Sequence, residues 1–373
     1  MVTDPIDFGG GVLSGSGDDD AFLVKLGPTG EHLWSHRFGA GDRQTIASLA
    51  IADDDSIVVT GQCRGTNDFG GGPISAPDEA TDILLARYDT NGEHLWSRCL
   101  FSGSTWYDSK LALAPGGDIV VVAPFQSVAD FGGGVLHGVG IDDMVLARFN
   151  LDGEHLWSRS FGGQYVDYPY DLAITASGHI VLSGLLSKGI DFGGGPIKAG
   201  SDADFVAQFN ADGDLMWDLP FLDGTSVRVG GLAAAGDDVI LMGAYNHSTV
   251  IAGLPLPPPV DEFDGFVARM NSKGAPLWAK PFPGAHFGGG EVNAAGELVL
   301  ASSFSETDYG GGPSSDPTGI LPSSSWTGTA SSCGPARSAD PAGSRPTPHA
   351  WIRRGGSPSS ARPHPTSTSA PAR

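Results

Sequence analysis

The sequence predicts an all-β fold assembled from tandem repeats of about 61 residues. Five tryptophans, Trp34, Trp96, Trp157, Trp217 and Trp278, stand 62, 61, 60 and 61 residues apart. The string Gly-Glu-His-Leu-Trp-Ser occurs at 30–35, 92–97 and 153–158, with weaker copies ending in Trp217 and Trp278. A second string, Asp-Phe-Gly-Gly-Gly, begins at Asp7, Asp68, Asp130 and Asp191 and returns as Asp308-Tyr-Gly-Gly-Gly. The copy expected near 250 reads Val250-Ile-Ala-Gly-Leu. Self-similarity at a fixed period marks stacked supersecondary units. The 56 glycines, set against only 17% charged residues, favour many short strands joined by tight turns over long helices.

One unit resolves into four strands. The first covers 46–52 and ends in an Asp-rich turn at 53–55. The β-branched run at 56–62 is the second, and a loop of about 20 residues carrying Asp-Phe-Gly-Gly-Gly follows it. The third, 82–89, alternates apolar and polar residues, and the Thr90-Asn91-Gly92 turn leads into the fourth at 93–101. Asn-Gly between two such runs is a strong hairpin signal, and Asp152-Gly153 and Asp212-Gly213 stand at the same place in later copies. Four short antiparallel strands per unit predict a β-propeller of about five four-stranded blades. A unit of this kind buries its faces only against its neighbours. The recurring tryptophan is therefore expected between units, with an aromatic ligand platform as the sharper alternative.

The array occupies residues 1–312. It opens late in a unit, so 1–38 supplies only third and fourth strands, while 286–304 supplies only first and second. Pairing these halves would add a fifth blade to the four complete ones and remove two free edges. Residues 313–373 are rich in Pro, Ser, Ala and Arg and are expected to be a disordered tail. Read one nucleotide earlier, DNA encoding 326–336 can specify Leu-Asp-Gly-Asp-Gly-Glu-Leu-Leu-Trp-Ala-Arg, and DNA encoding 351–355 can specify Val-Asp-Pro-Ala-Gly. The implied tryptophan and valine fall 17 residues apart, as do Trp34 and Ile51, or Trp96 and Leu113. The tail is accordingly expected to be a frameshifted continuation of a truncated array.

The segments DAFLVKL and GEHLWSHRFG, followed by SLAIADDDSIVVTG, resemble the bacterial β-propeller repeat family named SBBP, over roughly residues 1–304. Where that family has Phe-Pro after the second strand, this chain has Phe-Gly-Gly-Gly. The resemblance implies blades and an extracellular or cell-surface location. It implies no activity.

Charge narrows the partners. The net charge is −22, and residues 1–312 hold 15 basic and 41 acidic side chains. An acidic body repels nucleic-acid phosphates and anionic membrane surfaces. No apolar run of 18 residues exists, so no membrane insertion is expected, and residues 1–11 show no signal peptide. Cys63, Cys99 and Cys333 have neither metal-type spacing nor a disulfide framework; they are expected to be two small buried apolar residues and one stray.

Candidate chemistry is sparse. His32, His94 and His155 look like a ligand set but are register copies, one per unit, and are expected to be exposed and structural. The clusters Asp18–Asp20, Asp53–Asp55 and Asp142–Asp143 lack the alternating ligands and bidentate Glu of a calcium loop, so solvated turns are expected. The glycine triplets do not follow the strand–glycine–helix order of a phosphate cradle. No nucleophile elbow, zinc-protease helix or paired Cys/His motif appears. The expectation is therefore no catalytic, cofactor-binding or metal residues, no cofactor, and a non-enzymatic scaffold for binding or surface interaction with a protein or carbohydrate partner. The alternative is a propeller-type enzyme or cofactor-binding protein with an unrecognised site.

Overall fold

The structure is a computed structural model that describes residues 5–14, 20–38, 44–76, 81–103, 108–222, 227–293, 295–304 and 330–331. Every regular element among them is a strand. Asp18, Asp19, Cys333 and, apart from 330–331, the 313–373 tail lie outside the described residues.

Four four-stranded antiparallel sheets follow one another along the chain, each in sequence order. The first comprises Thr45–Ile51, Ile57–Arg64, Thr81–Tyr88 and His94–Leu100. The second comprises Lys110–Leu113, Ile119–Phe125, Asp143–Phe149 and His155–Phe161. Tyr168–Ile174, Ile180–Ile190, Ile197–Phe209 and Leu215–Pro220 make the third. Val227–Ala235, Asp238–Tyr245, Asp264–Met270 and Pro276–Phe282 make the fourth. A lone hairpin, Ala21–Leu26 with His32–Phe38, precedes them, and the pair Ala285–Val292 with Leu298–Phe304 follows.

The central strands are apolar without alternation because both of their faces are covered. Val59, Leu84 and Ala86 pack back onto Ala21 and Leu23 of the preceding hairpin. Val58, Ile83 and Leu85, one residue out of phase, pack forward onto Ile119, Val121 and Val145 of the second unit. Val120, Val122 and Leu146 then face Ile180, Leu182 and Phe205 of the third. Val181 and Val206 face Val239 and Leu241 of the fourth, and Ile240 and Val267 face Phe287 and Leu298. Each fully buried Val, Leu, Ile or Phe contributes about 1.5–3 kcal/mol, so a unit is stabilised mainly by the two sheets it lies between. The first strands of successive units are neighbours from Thr45–Ile51 through to Ala285–Val292. Sheets stacked face to face with their first strands gathered on one side form an arc of a β-propeller.

Two expectations need correction. The 20-residue loop after the second strand contains a small hairpin, Thr66–Asp68 with Pro73–Ser75, repeated as Val128–Asp130 with Val135–His137. Asp68 Oδ1 accepts the Gly70 and Gly72 amides at 2.8 and 3.0 Å and so closes the turn. Those two glycines sit at φ 105° and 97°, a region side chains disfavour, which is why the triplet is glycine. The second correction concerns closure. Among the described residues the strand Ala21–Leu26 pairs only with the strand His32–Phe38, and Leu298–Phe304 pairs with Ala285–Val292 and the two residues Ala330–Ser331. Among the described residues the two terminal half-units do not pair with each other.

Candidate functional site

The recurring tryptophan and a basic residue of the third strand act as a pair. Trp96 Nε1 donates to the Leu151 carbonyl at 3.1 Å, and Arg87 Nη1 donates to the same oxygen at 3.0 Å. Trp157 and Arg148 hold the Ala211 carbonyl at 3.2 and 2.7 Å. Trp34 and Lys25 hold that of Thr90 at 3.2 and 2.7 Å. In each case the acceptor lies in the turn between third and fourth strands of the next unit. The glycine of that turn lies under the same indole: a Cβ on Gly92, Gly153, Gly213 or Gly274 would come within 2.8–3.0 Å of the ring of Trp34, Trp96, Trp157 or Trp217. The tryptophans are thus inter-unit latches.

One unit departs from the pattern in a correlated way. Trp217 reaches the Ser272 carbonyl at 3.3 Å without help, because Gln208 replaces the cation. Arg148 and Arg269 also bond Asp118 and Asp238, each just before a second strand. His179 stands at that position in the unit of Gln208. That unit has neither the cation nor the carboxylate at these positions.

The three histidines do not converge. Each Nε2 is paired with a serine three residues on, Ser35, Ser97 or Ser158, at 3.0–3.1 Å. Each ring lies against the middle glycine of its own unit's triplet, where a Cβ on Gly10, Gly71 or Gly133 would meet it at 2.0–2.2 Å. They are half-buried rather than exposed. Burial lowers the pKa of His94 and His155, against the opposing pull of Asp68 and Asp130.

The aspartate clusters divide. Asp53 and Asp55 are exposed, as a solvated turn requires. Asp20, Asp142 and Asp143 are buried, at 1%, 8% and 2% exposure, and do not fit that reading. Asp20 and Asp143 belong to a repeating set that sequence reasoning missed: Asp20, Asp82, Asp143, Asp204 and Asp264, each within a third strand or just before it. Their carboxylates accept backbone amides: Ser102 on Asp82 at 2.9 Å, Gly140 on Asp143 at 3.3 Å, Val229 on Asp204 at 2.7 Å and Gly284 on Asp264 at 3.1 Å. Arg37 pairs with Asp20. Their spacing of 62, 61, 61 and 60 residues was the available signal.

The structure also bonds Cys63 to Cys99, with Cα atoms 6.3 Å apart. This corrects the expectation of unlinked cysteines. The second and fourth strands of one unit bring together residues 36 apart in sequence, a proximity that spacing did not reveal.

A depression of about 310 Å³ opens where the first strands end. Four successive units contribute to it, through Ile51 and Asp53, Leu113 and Pro115, Thr175, and Ala234. Its wall is built from small and aliphatic residues with one carboxylate, and backbone polar groups make up much of the surface it exposes. No three His, Cys, Asp or Glu side chains among the described residues converge in metal-holding geometry.

No family model matches the chain. Regulatory protein FlaEY of Caulobacter vibrioides is 29% identical over 179 residues. That match covers 45% of this chain, and the chain spans only 18% of the relative's length. Among solved structures, the Dos1 propeller is 12% identical, with 75% of this chain and 70% of that one covered at a TM-score of 0.37. The Neurospora crassa Pan2 WD40 domain is 11% identical, covering 70% and 74% at 0.37. A mutant Synechocystis apocarotenoid oxygenase is 11% identical, covering 80% and 65% at 0.38. The propeller architecture of this chain rests on its own sheet order and packing.

Several buried acids with raised pKa sit between the second, third and fourth units. Burial raises Asp204 to about 7 and Asp167 to about 6. Asp167 accepts the Gly163 and Ser187 amides at 2.6 and 2.8 Å, and the Arg228 guanidinium lies over the Tyr170 ring beside Asp204. Asp167 and Asp204 are 0% and 4% exposed. Perturbed acids can mark active sites, but these are spent on backbone amides and reach no opening.

Proposed function

We propose that this chain is a non-enzymatic repeat scaffold for binding or surface interaction, built from four-stranded blades of the SBBP type. The observation that carries this reading is that most of the recurring polar groups are engaged in holding the units together. The tryptophans and basic residues clamp the next unit's turn. The histidines lie on glycines of their own unit. The third-strand aspartates hold backbone amides, Asp204 that of the next unit's first strand and Asp264 that of a turn. What repeats therefore serves architecture, and the surface the units jointly present is the shallow depression at their first-strand ends.

Its small, mostly uncharged wall suits a peptide segment or a sugar, and the strongly acidic body disfavours nucleic acid and anionic lipid. A location outside the cytoplasm is supported by the family resemblance and by the Cys63–Cys99 bond, since disulfides persist in oxidising compartments. A thermal-shift screen against sugars, peptides, divalent cations and quinones tests the reading. Stabilisation by a sugar or peptide, abolished by Thr175→Tyr in the depression, is the expected result. Stabilisation by a quinone or metal ion together with turnover would contradict it and favour a cofactor-dependent enzyme.

A further inference from the structure

We propose that the depression at the first-strand ends takes a basic peptide segment, with the cationic side chain of a lysine or arginine set against Asp53. This rests on the depression being the scaffold's binding surface, and it names what that surface selects.

The wall is short of hydrogen-bond donors. It is built by the turns that join first to second strands in four successive units. The amides of Ala52, Ala114 and Thr175 each donate across their own turn at 2.8–2.9 Å. The Ala176 amide is spent on the Gly236 carbonyl of the next unit at 2.9 Å, and Pro115 has no N–H. The turn carbonyls keep a second lone pair, so the wall offers mainly acceptors. An ammonium or guanidinium group carries donors and no acceptor, and a peptide backbone adds further N–H groups.

One of those acceptors is an uncommitted carboxylate. The other aspartates of these turns are engaged. Asp54 accepts from the Ser56 hydroxyl and from Arg87, both at 2.6 Å. Asp118 and Asp238 accept from Arg148 and Arg269 at 2.9 Å. Asp237 accepts from the Ser177 hydroxyl at 2.8 Å. Asp53 is exposed, lines the depression and has no hydrogen bond or ion pair among the described residues. Pro115 and Ala176 stand at its place in the next two units, so the turn itself does not require a carboxylate there.

Charge and shape agree with this occupant. No lysine, arginine or histidine lines the depression to neutralise Asp53 from within. Residues 1–312 hold 15 basic and 41 acidic side chains, a field that draws a cationic segment in and turns an acidic one away. Ile51, Leu113 and Ile174 give the aliphatic stem of a long basic side chain something to pack on. A volume of about 310 Å³ holds one such side chain with its adjoining backbone. No aromatic ring lines the wall, so a sugar ring would have no face to stack on.

Arrayed hexapeptides probed with the full chain test this. Their central residue is lysine, arginine, glutamine or glutamate, and their flanks are glycine, alanine and valine. The lysine or arginine peptides should bind at least about fivefold better than the glutamine ones, and the glutamate ones not at all. Asp53→Asn should remove about fivefold of that binding. Asp55→Asn takes the same charge from the same turn but lies outside the wall, and should change binding less than about twofold. Ala176→Tyr, at an exposed lining position, should abolish it. Circular dichroism checks that the three variants fold. Equal binding of lysine and glutamine peptides, or equal losses from Asp53→Asn and Asp55→Asn, would overturn this inference and leave the scaffold reading standing. Failure of every peptide to bind overturns it too, and the scaffold reading then stands only if a sugar stabilises the wild type but not Ala176→Tyr. Peptide binding that survives Ala176→Tyr would overturn both.

Discussion

The His94 imidazole lies directly against the α-carbon of Gly71, so closely that a methyl group on Gly71 would come within 2.1 Å of the ring. Two motifs that look independent in the sequence are thus halves of one contact. The histidine that precedes each Leu-Trp covers the middle glycine of the triplet, and Ser97 fixes the ring at 3.0 Å. Where Leu215 replaces the histidine, a Cβ on Gly194 would meet its side chain at a looser 2.8 Å.

Gly71→Ala should therefore destabilise the first unit by about 1–3 kcal/mol, an overpacking cost. Gly194→Ala should cost less, because a flexible leucine can move aside. Urea denaturation of the two variants measures the difference. Equal effects would mean that the ring contact does not govern the choice of glycine.

The latches predict a graded response. Trp96→Phe keeps most of the ring but removes the donor to Leu151, and should cost about 0.5–1.5 kcal/mol. Trp96→Ala removes the inter-unit packing as well and should cost about 3–5 kcal/mol. Thermal unfolding monitored by near-ultraviolet circular dichroism reads both.

Asp204 gives a pH dependence of known sign. Its pKa is raised from 3.8 to about 7 by burial, so the unfolded chain releases this proton more readily than the folded one. Its stabilising share is fully present below pH 3.8 and is lost as pH rises through about 7. Asp204→Asn keeps an acceptor for the Val229 amide and cannot ionise. Relative to this variant, the wild type should lose about 2–4 kcal/mol of stability across that window. Parallel stability curves for the two proteins would show that Asp204 is ordinary in the folded state.

The Cys63–Cys99 bond closes a loop of 36 residues. Opening such a loop should cost about 3–4 kcal/mol on chain-entropy grounds. Alkylation before and after reduction, read by mass spectrometry, should label Cys63 and Cys99 only after reduction. Labelling without reductant would contradict the bond and remove one support for an oxidising compartment.

What was legible in the sequence was what repeats within one strand or one turn. The second strand at 56–62 and the Gly92 turn follow from period and turn chemistry, because each depends on neighbours a few residues away, and the inter-unit place of Trp96 follows from a repeat unit's need to bury its faces against its neighbours. What was not legible depends on folding distance. Cys63 meets Cys99 only because strands two and four belong to one sheet. His94 meets Gly71 only once the triplet has turned back as a hairpin. The buried Asp82 and Asp143 were hidden among acidic turns, although their spacing matches that of the tryptophans. The pairing of the two terminal half-units was expected from composition of strands alone, and that criterion does not fix the curvature of the arc.

The central claim is that each unit is held by the one before it, through a tryptophan that reaches forward into the next turn. Hydrogen-exchange mass spectrometry on Trp96→Leu tests this most directly. Amides of the turn at 150–154 should lose protection, while those at 210–214, held by Trp157, keep theirs. Uniform loss of protection along the chain, or loss confined to the unit that contains residue 96, would contradict a forward latch.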